Sequence, residues 1–594
     1  MSEPLKGMKR IFTFVLAMLL LVGAISCTPK EPADTETTAD TTEPVSVRTL
    51  TVAQDGEGID VVYGKEKSLA HMAALDLASD LGKLSRTADF AAEIVWGEPN
   101  PDKVEILVGD TGYAESTQAM SEVGYGEGLV RVVGNKIVVA ALDSLSLEEA
   151  IRGLLLAVKE TRDENGNMTL SSEFTYSVTG NPTVAALPRM DSAYPEIIDT
   201  GDGCYLLSFE DVEKAQADAY VTALTQQNFN PYTTNTLESN FYTTLTNDKQ
   251  IVNVAYLGNE KRACVLIEPK DKTALPKLES ENVYTPVDGI ETTFTQIGLA
   301  YATETQIAEY YTSGMSYVMH LADDSFIVID GGYDNQANAD NLYNVMKKQA
   351  KDPENIVIAA WILTHAHSDH VELLPKFGKS YGDKVTVERF IYNFPSVEQM
   401  STYAHSDSRS KAESAIKTYF KSAERIKAHA GQVFHIRNAK VEILYTIEIG
   451  AGLLEKDYNN TSLVFTLETE NTKILMLGDY SEDAKTLMSL YTAETLKSDV
   501  MQVGHHGVSG QSMVLPTIVA PEYALWPVIA LQFKAYYASG APQTDLTVQS
   551  FNNYFVNVMD AEKVFVAGDN ITVATLNKGA ITVNAHDSIT EYLQ

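Results

Sequence analysis

Residues 356–370 read IVIAAWILTHAHSDH. The eight leading residues are all apolar, which predicts a strand buried on both faces, as in the interior of a parallel sheet. The run passes directly into Thr364, His365, Ala366, His367, Ser368, Asp369 and His370. Three imidazoles and a carboxylate thus crowd one strand end, in a chain with only 11 histidines among 594 residues. Buried His and Asp are costly without partners, and a divalent cation supplies one partner for all of them. If the backbone stays extended, His365 and His367 point to the same side. Asp369 and His370 fall past the turn and can address a second ion.

Three more apolar runs end in residues of the same chemistry. Residues 326–332 read FIVIDGG, 473–479 read KILMLGD, and 499–507 read DVMQVGHHG. A strand-terminal Gly-Asp by itself is a turn signal. In this order around HxHxDH, the set resembles the metallo-β-lactamase superfamily over residues 292–585. That resemblance implies an α/β fold, an αββα sandwich, at residues 291–594. It implies that Asp330 supports the metal ligands, that Asp479 bridges two metals, and that the last ligand histidine is His505 or His506. The family pattern also has a histidine on an intervening strand. Here residues 457–467 read DYNNTSLVFTL, with Asn and Ser at the strand start. This substitution, followed by Gly-His-His-Gly, resembles the hydrolase domain of bacterial DNA-uptake channel proteins. Some cell-wall phosphorylcholine esterases are relatives in the wider superfamily. Asn460 then either coordinates weakly through its amide oxygen or leaves a position for water. His405, His429 and His435 are spare, and fall on a helix or an unrelated strand.

The ligand set implied by the resemblance is His365, His367 and Asp479 for one ion. Asp369, His370, Asp479 and His505 or His506 serve the other. Two divalent ions are expected, zinc first, with manganese or iron as alternatives. A water between them, its pKa lowered, would attack as hydroxide. Asp369, His506 and Asn460 are the candidate catalytic residues. One of the adjacent histidines ligates and the other contacts substrate or donates a proton; spacing does not assign which. Gly504 and Gly507 allow close substrate approach, and Ser509 can bind an oxyanion.

Charge narrows the substrate. The chain holds 45 Lys+Arg against 80 Asp+Glu, a net −35, which repels nucleic acid at long range. Yet residues 376–440 carry 12 basic and 6 acidic residues, many on a helix expected over 408–429. An anionic substrate, a small or polymeric phosphodiester, fits that insertion; a solvated helix face is the other reading. Tyr392, Phe394 and Tyr403 lie in the same insertion and can line the cleft. Hydrolysis of a lactone or another ester is an alternative, and so is a non-catalytic binding protein with a degenerate metal site. The missing histidine disfavours a true β-lactamase.

Lys6, Lys9 and Arg10 precede an apolar run over 11–25 that closes on Ala24, Ile25, Ser26 and Cys27. This resembles a bacterial lipoprotein signal over 1–27, with Cys27 the lipidated residue; an uncleaved N-terminal anchor is the alternative. Residues 28–47, rich in Thr, acid and Pro, form a flexible tether. The protein is then expected outside the cytoplasm, held at the membrane by lipid. Residues 48–183 predict helices over 67–84 and 147–159 and a hairpin over 129–141 turning at Gly134-Asn135. This accessory α/β domain resembles the non-catalytic N-terminal domain beside some bacterial glycosidase barrels. Residues 184–290 predict an α+β accessory domain: a helix over 209–227, then strands over 241–245, 251–256 and 263–267. Three cysteines exclude a disulfide scaffold. Cys204 and Cys264 lie in apolar strand-like runs, as a pair or as buried thiols.

Overall fold

The deciding strand forms as Ile356–Ile362, with every residue buried except the half-buried Val357. It runs parallel to Phe326–Asp330 on one side and to Arg389–Tyr392 on the other. The structure, a computed structural model, describes residues 48–594 apart from short stretches, the longest being 276–282, 301–313, 451–457 and 534–552. The expected signal and tether, Cys27, Tyr403, His405 and Ser509 lie outside the described residues.

Two sheets face each other. The first runs Glu424–Lys427, Arg389–Tyr392, Ile356–Ile362, Phe326–Asp330, Ser316–His320, Thr292–Gln296, Thr572–Asn577, Ala580–Asn584. The second runs Val433–Ile436, Ala439–Tyr445, Val464–Thr469, Thr472–Met476, Val500–Gln502, Tyr523–Trp526, Val564–Val566. Between them, Ile327, Ile329 and Ile362 pack with Phe465, Leu467, Ile474 and Met476. Helices Gln336–Gln349, Leu373–Tyr381 and Ser406–Tyr419 cover the outer face of the first sheet, setting Leu342, Met346, Phe377 and Ile416 against Trp361 and Phe390. Leu487, Leu490, Leu515 and Val519 cover the second sheet over Leu475, Met501 and Trp526. Each sheet buries both faces, which yields the expected αββα layering.

Parallel register aligns the strand ends that carry the motifs. Ile329 lies opposite Ile362, so Asp330 sits beside Thr364. Leu475 lies opposite Met501, so Asp479 and the Gly504–Gly507 turn emerge on the same edge. Both edges open where the carboxyl ends of strands form a crevice.

Two sequence expectations are corrected. The helix expected over 408–429 ends at Tyr419, and Glu424–Lys427 is a strand, with Ile426 opposite Ile391. Ala423 and Ile426 also fit helical spacing, but pairing at an open sheet edge wins. The helix expected over 209–227 begins at Lys214, because Phe209 closes the strand Cys204–Phe209.

Upstream, Glu127–Val133 and Lys136–Ala141 form the expected hairpin, with Val133 opposite Lys136. Helices Leu69–Ser85 and Ser144–Glu160 pack beside it. A six-stranded antiparallel sheet follows, Glu196–Gly201, Cys204–Phe209, Arg262–Pro269, Gln250–Leu257, Asn240–Thr246, Asn230–Leu237, with the Thr-rich segment at its edge. Leu206, Leu257 and Leu266 of this sheet share a core with Leu444 and Ile449. The Tyr242 and Tyr491 hydroxyls meet at 2.6 Å, and Asn240 donates to the Leu490 carbonyl. Residues 48–594 thus pack as one unit. Cys204 and Cys264 are both buried and are not bridged to each other.

Candidate metal centre

The site starts from Asp330. Its backbone is left-handed (φ 52°), which turns the carboxylate off the end of its strand. One oxygen accepts from the Thr364 amide (2.8 Å), and the other from the Thr364 hydroxyl and His370 Nδ1 (2.7 Å each). With Nδ1 engaged, His370 aims Nε2 inward, 3.1 Å from Asp479 Oδ2. An outer carboxylate fixing a ring in this way is the usual support of a metal-binding histidine.

Asp479 is placed by its neighbours' backbone needs. Gly478 is left-handed (φ 57°), and a Cβ there would come within 3.0 Å of Ser462 and Thr364. Ser462 Oγ accepts from the Asp479 amide (3.0 Å). Gln502 bridges the same turn, accepting from the Leu477 amide and donating to the Gly478 carbonyl. Asp479 Oδ2 then lies 3.6 Å from His365 Nε2, and Oδ1 lies 3.3 Å from His506 Nε2. His506 Nε2 is also 3.3 Å from Asp369.

The Gly-His-His-Gly turn coils through three successive left-handed residues, His505 (φ 44°), His506 (φ 51°) and Gly507 (φ 72°). For the two histidines this costs about 1 kcal/mol each. Among the bonds that hold the turn are those from the His505 amide to the Gly478 carbonyl, from the Trp526 indole to the His506 carbonyl, and from His506 Nδ1 to the Pro527 carbonyl (2.8 Å). Gly507 lacks the Cβ that would strike the Trp526 ring at about 2.5 Å. The coil separates the two rings: His506 joins the buried cluster, while His505, partly exposed, stays 4.0 Å from Asp479.

Two donor groups result. Asp369, His370, Asp479 and His506 form one, and His365, His367 and Asp479 the other; within each, the donor atoms lie within 4.8 Å of one another. His365 Nε2, His370 Nε2, His506 Nε2 and Asp479 Oδ1 are buried without a hydrogen-bond partner among the described residues. Leaving so many inward-facing polar atoms unmet costs more than a fold of this kind spares, so the cluster fits divalent metal. The electrostatics agree. Burial opposes charge on His370 and His506, but the surrounding carboxylates outweigh it, raising His370 well above its ordinary value and His506 to about 10. Burial and the neighbouring His370 push His365 well below its ordinary value. Burial also opposes charge on Asp369 and Asp479, yet the imidazoles hold both carboxyls below the usual range. Protons on two rings therefore stand where cations would.

The strand start at 457–467 is read differently by the structure. Tyr458–Thr461 is a 3-10 turn, and Asn459 faces His505, with Nδ2 3.3 Å from Nε2. The Asn460 carbonyl accepts from the Tyr445 hydroxyl. Asn459 and Gln502 went unremarked in the sequence; the polar Gln502 inside the apolar run VMQVG was the available signal. Of the spare histidines, His435 lies on Val433–Ile436, and His429 is buried elsewhere between Glu268 and Glu448.

Residues 311–516 match the family model of the Metallo-beta-lactamase superfamily, and the chain carries a domain of that superfamily there. Solved structures of similar shape include the metallo-beta-lactamase fold protein YhfI from Bacillus subtilis, at 12% identity, 39% of this chain, 85% of that chain and TM-score 0.25. Unliganded yeast PDE1 matches at 11% identity over 47% of this chain and 97% of its own, with TM-score 0.27. The diiron beta-hydroxylase CmlA from Streptomyces venezuelae matches at 10% identity over 41% and 45%, with TM-score 0.24. The comparison with curated proteins finds no match.

Proposed function

We propose that this chain is an extracytoplasmic, lipid-anchored metal-dependent hydrolase that cleaves phosphodiester bonds. The observation that carries the reading is the pair of donor groups sharing Asp479, with inward ring nitrogens that have no hydrogen-bond partner among the described residues. His365, His367 and Asp479 would hold one ion, and Asp369, His370, Asp479 and His506 the other. Imidazole and carboxylate donors suit zinc, with manganese or iron as alternatives. Such a pair, when bound, supplies Lewis acidity and makes a water nucleophilic near neutral pH.

The chain's own groups do the rest. Asp330 and the Pro527 carbonyl hold Nδ1 of His370 and His506, which keeps each Nε2 aimed at the cluster. His505 stands at the rim beside Asn459, whose Nδ2 donates to its Nε2 and fixes the ring beside the cluster, and the departing oxygen takes its proton from solvent as the P–O bond breaks. The basic insertion over 376–440 supports an anionic substrate. The Lys6, Lys9, Arg10 and Cys27 pattern supports the lipid anchor, and no helix among the described residues is long and apolar enough to cross a membrane.

The test is metal content joined to turnover of bis-p-nitrophenyl phosphate, a lactone and nitrocefin. Metal-dependent phosphodiester turnover is expected. Metal retained with no turnover would make this an ion-binding protein, and lactone turnover alone would move it to that ester class. Cys27→Ala should release the protein from the membrane fraction of its host; retention would remove the lipid anchor.

A further inference from the structure

Two neighbouring strands of the second sheet, Thr472–Met476 and Val500–Gln502, each lead into a turn that carries a metal donor, Asp479 after the first and His506 after the second. Their parallel ladder pairs only Ile474 with Val500 and Leu475 with Met501. Past those pairs a side chain takes over from the backbone. The Leu477 amide, two residues beyond the last pair, donates to Gln502 Oε1 at 2.8 Å. Gln502 Nε2 donates to the Gly478 carbonyl at 3.0 Å and to the Val503 carbonyl at 2.7 Å. We propose that Gln502 is a positioning residue that sets the span between the two turns, so that Asp479 and His506 close on the same ion. This role rests on the metal centre proposed above.

Gln502 is fully buried. Burying a primary amide is costly unless its oxygen and both its hydrogens are bonded, and leucine or methionine would fill the space without that demand. Among the described residues, all three side-chain bonds go to backbone at the two strand ends: Leu477 and Gly478 on one side, Val503 on the other. The Gly478 carbonyl is the meeting point, because it also accepts from the His505 amide at 3.1 Å. One peptide group of the first turn is thus tied to the second strand twice, through Gln502 and through His505. The backbone is left-handed on both sides of this tie, at Gly478 (φ 57°) and at His505 and His506 (φ 44° and 51°). For the histidines, such a conformation persists only where the surroundings fix it.

The two donor groups depend on this bridge unequally. Across it, Asp479 Oδ1 and His506 Nε2 stand 3.3 Å apart, and both belong to the group completed by Asp369 and His370. The other group joins Asp479 to His365 and His367, which follow the strand Ile356–Ile362 of the first sheet. Asp479 keeps a separate hold for that group, since Ser462 Oγ accepts from its amide at 3.0 Å. Loss of the Gln502 amide therefore loosens His506 against Asp479 and leaves Asp479 in place for His365 and His367.

Zinc affinity of the full chain, read by competition with a chromophoric chelator, tests this in two backgrounds. His367→Ala disables the group of His365, His367 and Asp479 and leaves the other; His506→Ala does the reverse. Gln502→Leu should weaken zinc binding about tenfold or more in the His367→Ala background, and by less than about twofold in the His506→Ala background. An equal loss in both, or no loss in either, would overturn the proposal, whatever the zinc-free melting temperature does. A wild type that binds no zinc would overturn it together with the metal centre, whereas zinc bound without phosphodiester turnover would leave it standing. Should Gln502→Leu fail to fold, Gln502→Asn is read the same way, because its amide is one methylene too short to reach both turns.

Discussion

The junction of the six-stranded sheet with the sandwich holds a second buried charge cluster, and its response to pH can be worked out. His429 Nε2 lies 2.9 Å from Glu268, and its Nδ1 is bonded to Glu448. Lys427 meets the other Glu268 oxygen, and Asn393 donates to both oxygens of Glu448. Burial works against charge on His429, but Glu268 and Glu448 outweigh it and raise the ring to about 9. The folded value exceeds the unfolded one of 6.5, so the contribution to stability is complete below about pH 6.5 and is lost as pH climbs through about 9. A rise of that size corresponds to about 3 kcal/mol. Urea unfolding of wild type and His429→Gln, at equal metal loading, is the assay. The stability gap between them should shrink by about 3 kcal/mol from pH 6.5 to 9, because glutamine keeps a hydrogen-bonding amide and carries no proton to lose. A gap that stays constant across that range would refute the reasoning.

Asn459→Ala should keep its metal and lose about tenfold in kcat, since Asn459 orients His505 and belongs to neither donor group; an unchanged kcat would remove that role. Gly478→Ala should lower the melting temperature by the equivalent of about 2 kcal/mol, because a Cβ at φ +57° meets Ser462 and Thr364; a melt matching wild type would contradict the strain. Metal binding should release about two protons, those of His370 and His506, and strengthen as pH rises; calorimetry in buffers of differing ionisation enthalpy reads this directly. Release of none would mean that those rings are not displaced by the ion.

The ends of the strands were the legible part of the chain. The sequence stays apolar from Phe326 up to Asp330, from Ile356 up to Thr364 and from Ile474 up to Gly478-Asp479, so the pattern reports both the strand and where its edge lies. Asn459 was missed for a geometric reason: in a 3-10 turn successive side chains point about 120° apart, so a strand-start reading does not tell that this residue faces His505. His505 and His506 escaped assignment likewise, since a left-handed coil has no period to count. The segment 423–427 satisfies helical spacing and becomes a strand only because Arg389–Tyr392 offers an open edge. Glu268 and His429 lie far apart in sequence with no shared motif, so their cluster is visible only once the sheets are packed.

The central claim is that Asp479 is shared by two ions. Metal stoichiometry after exhaustive dialysis, on wild type and Asp479→Asn side by side, tests it most directly. Two ions per chain in the wild type and neither retained in the variant are expected, because both donor groups use that carboxylate. A wild type that binds no ion, or a variant that keeps both, would contradict the account.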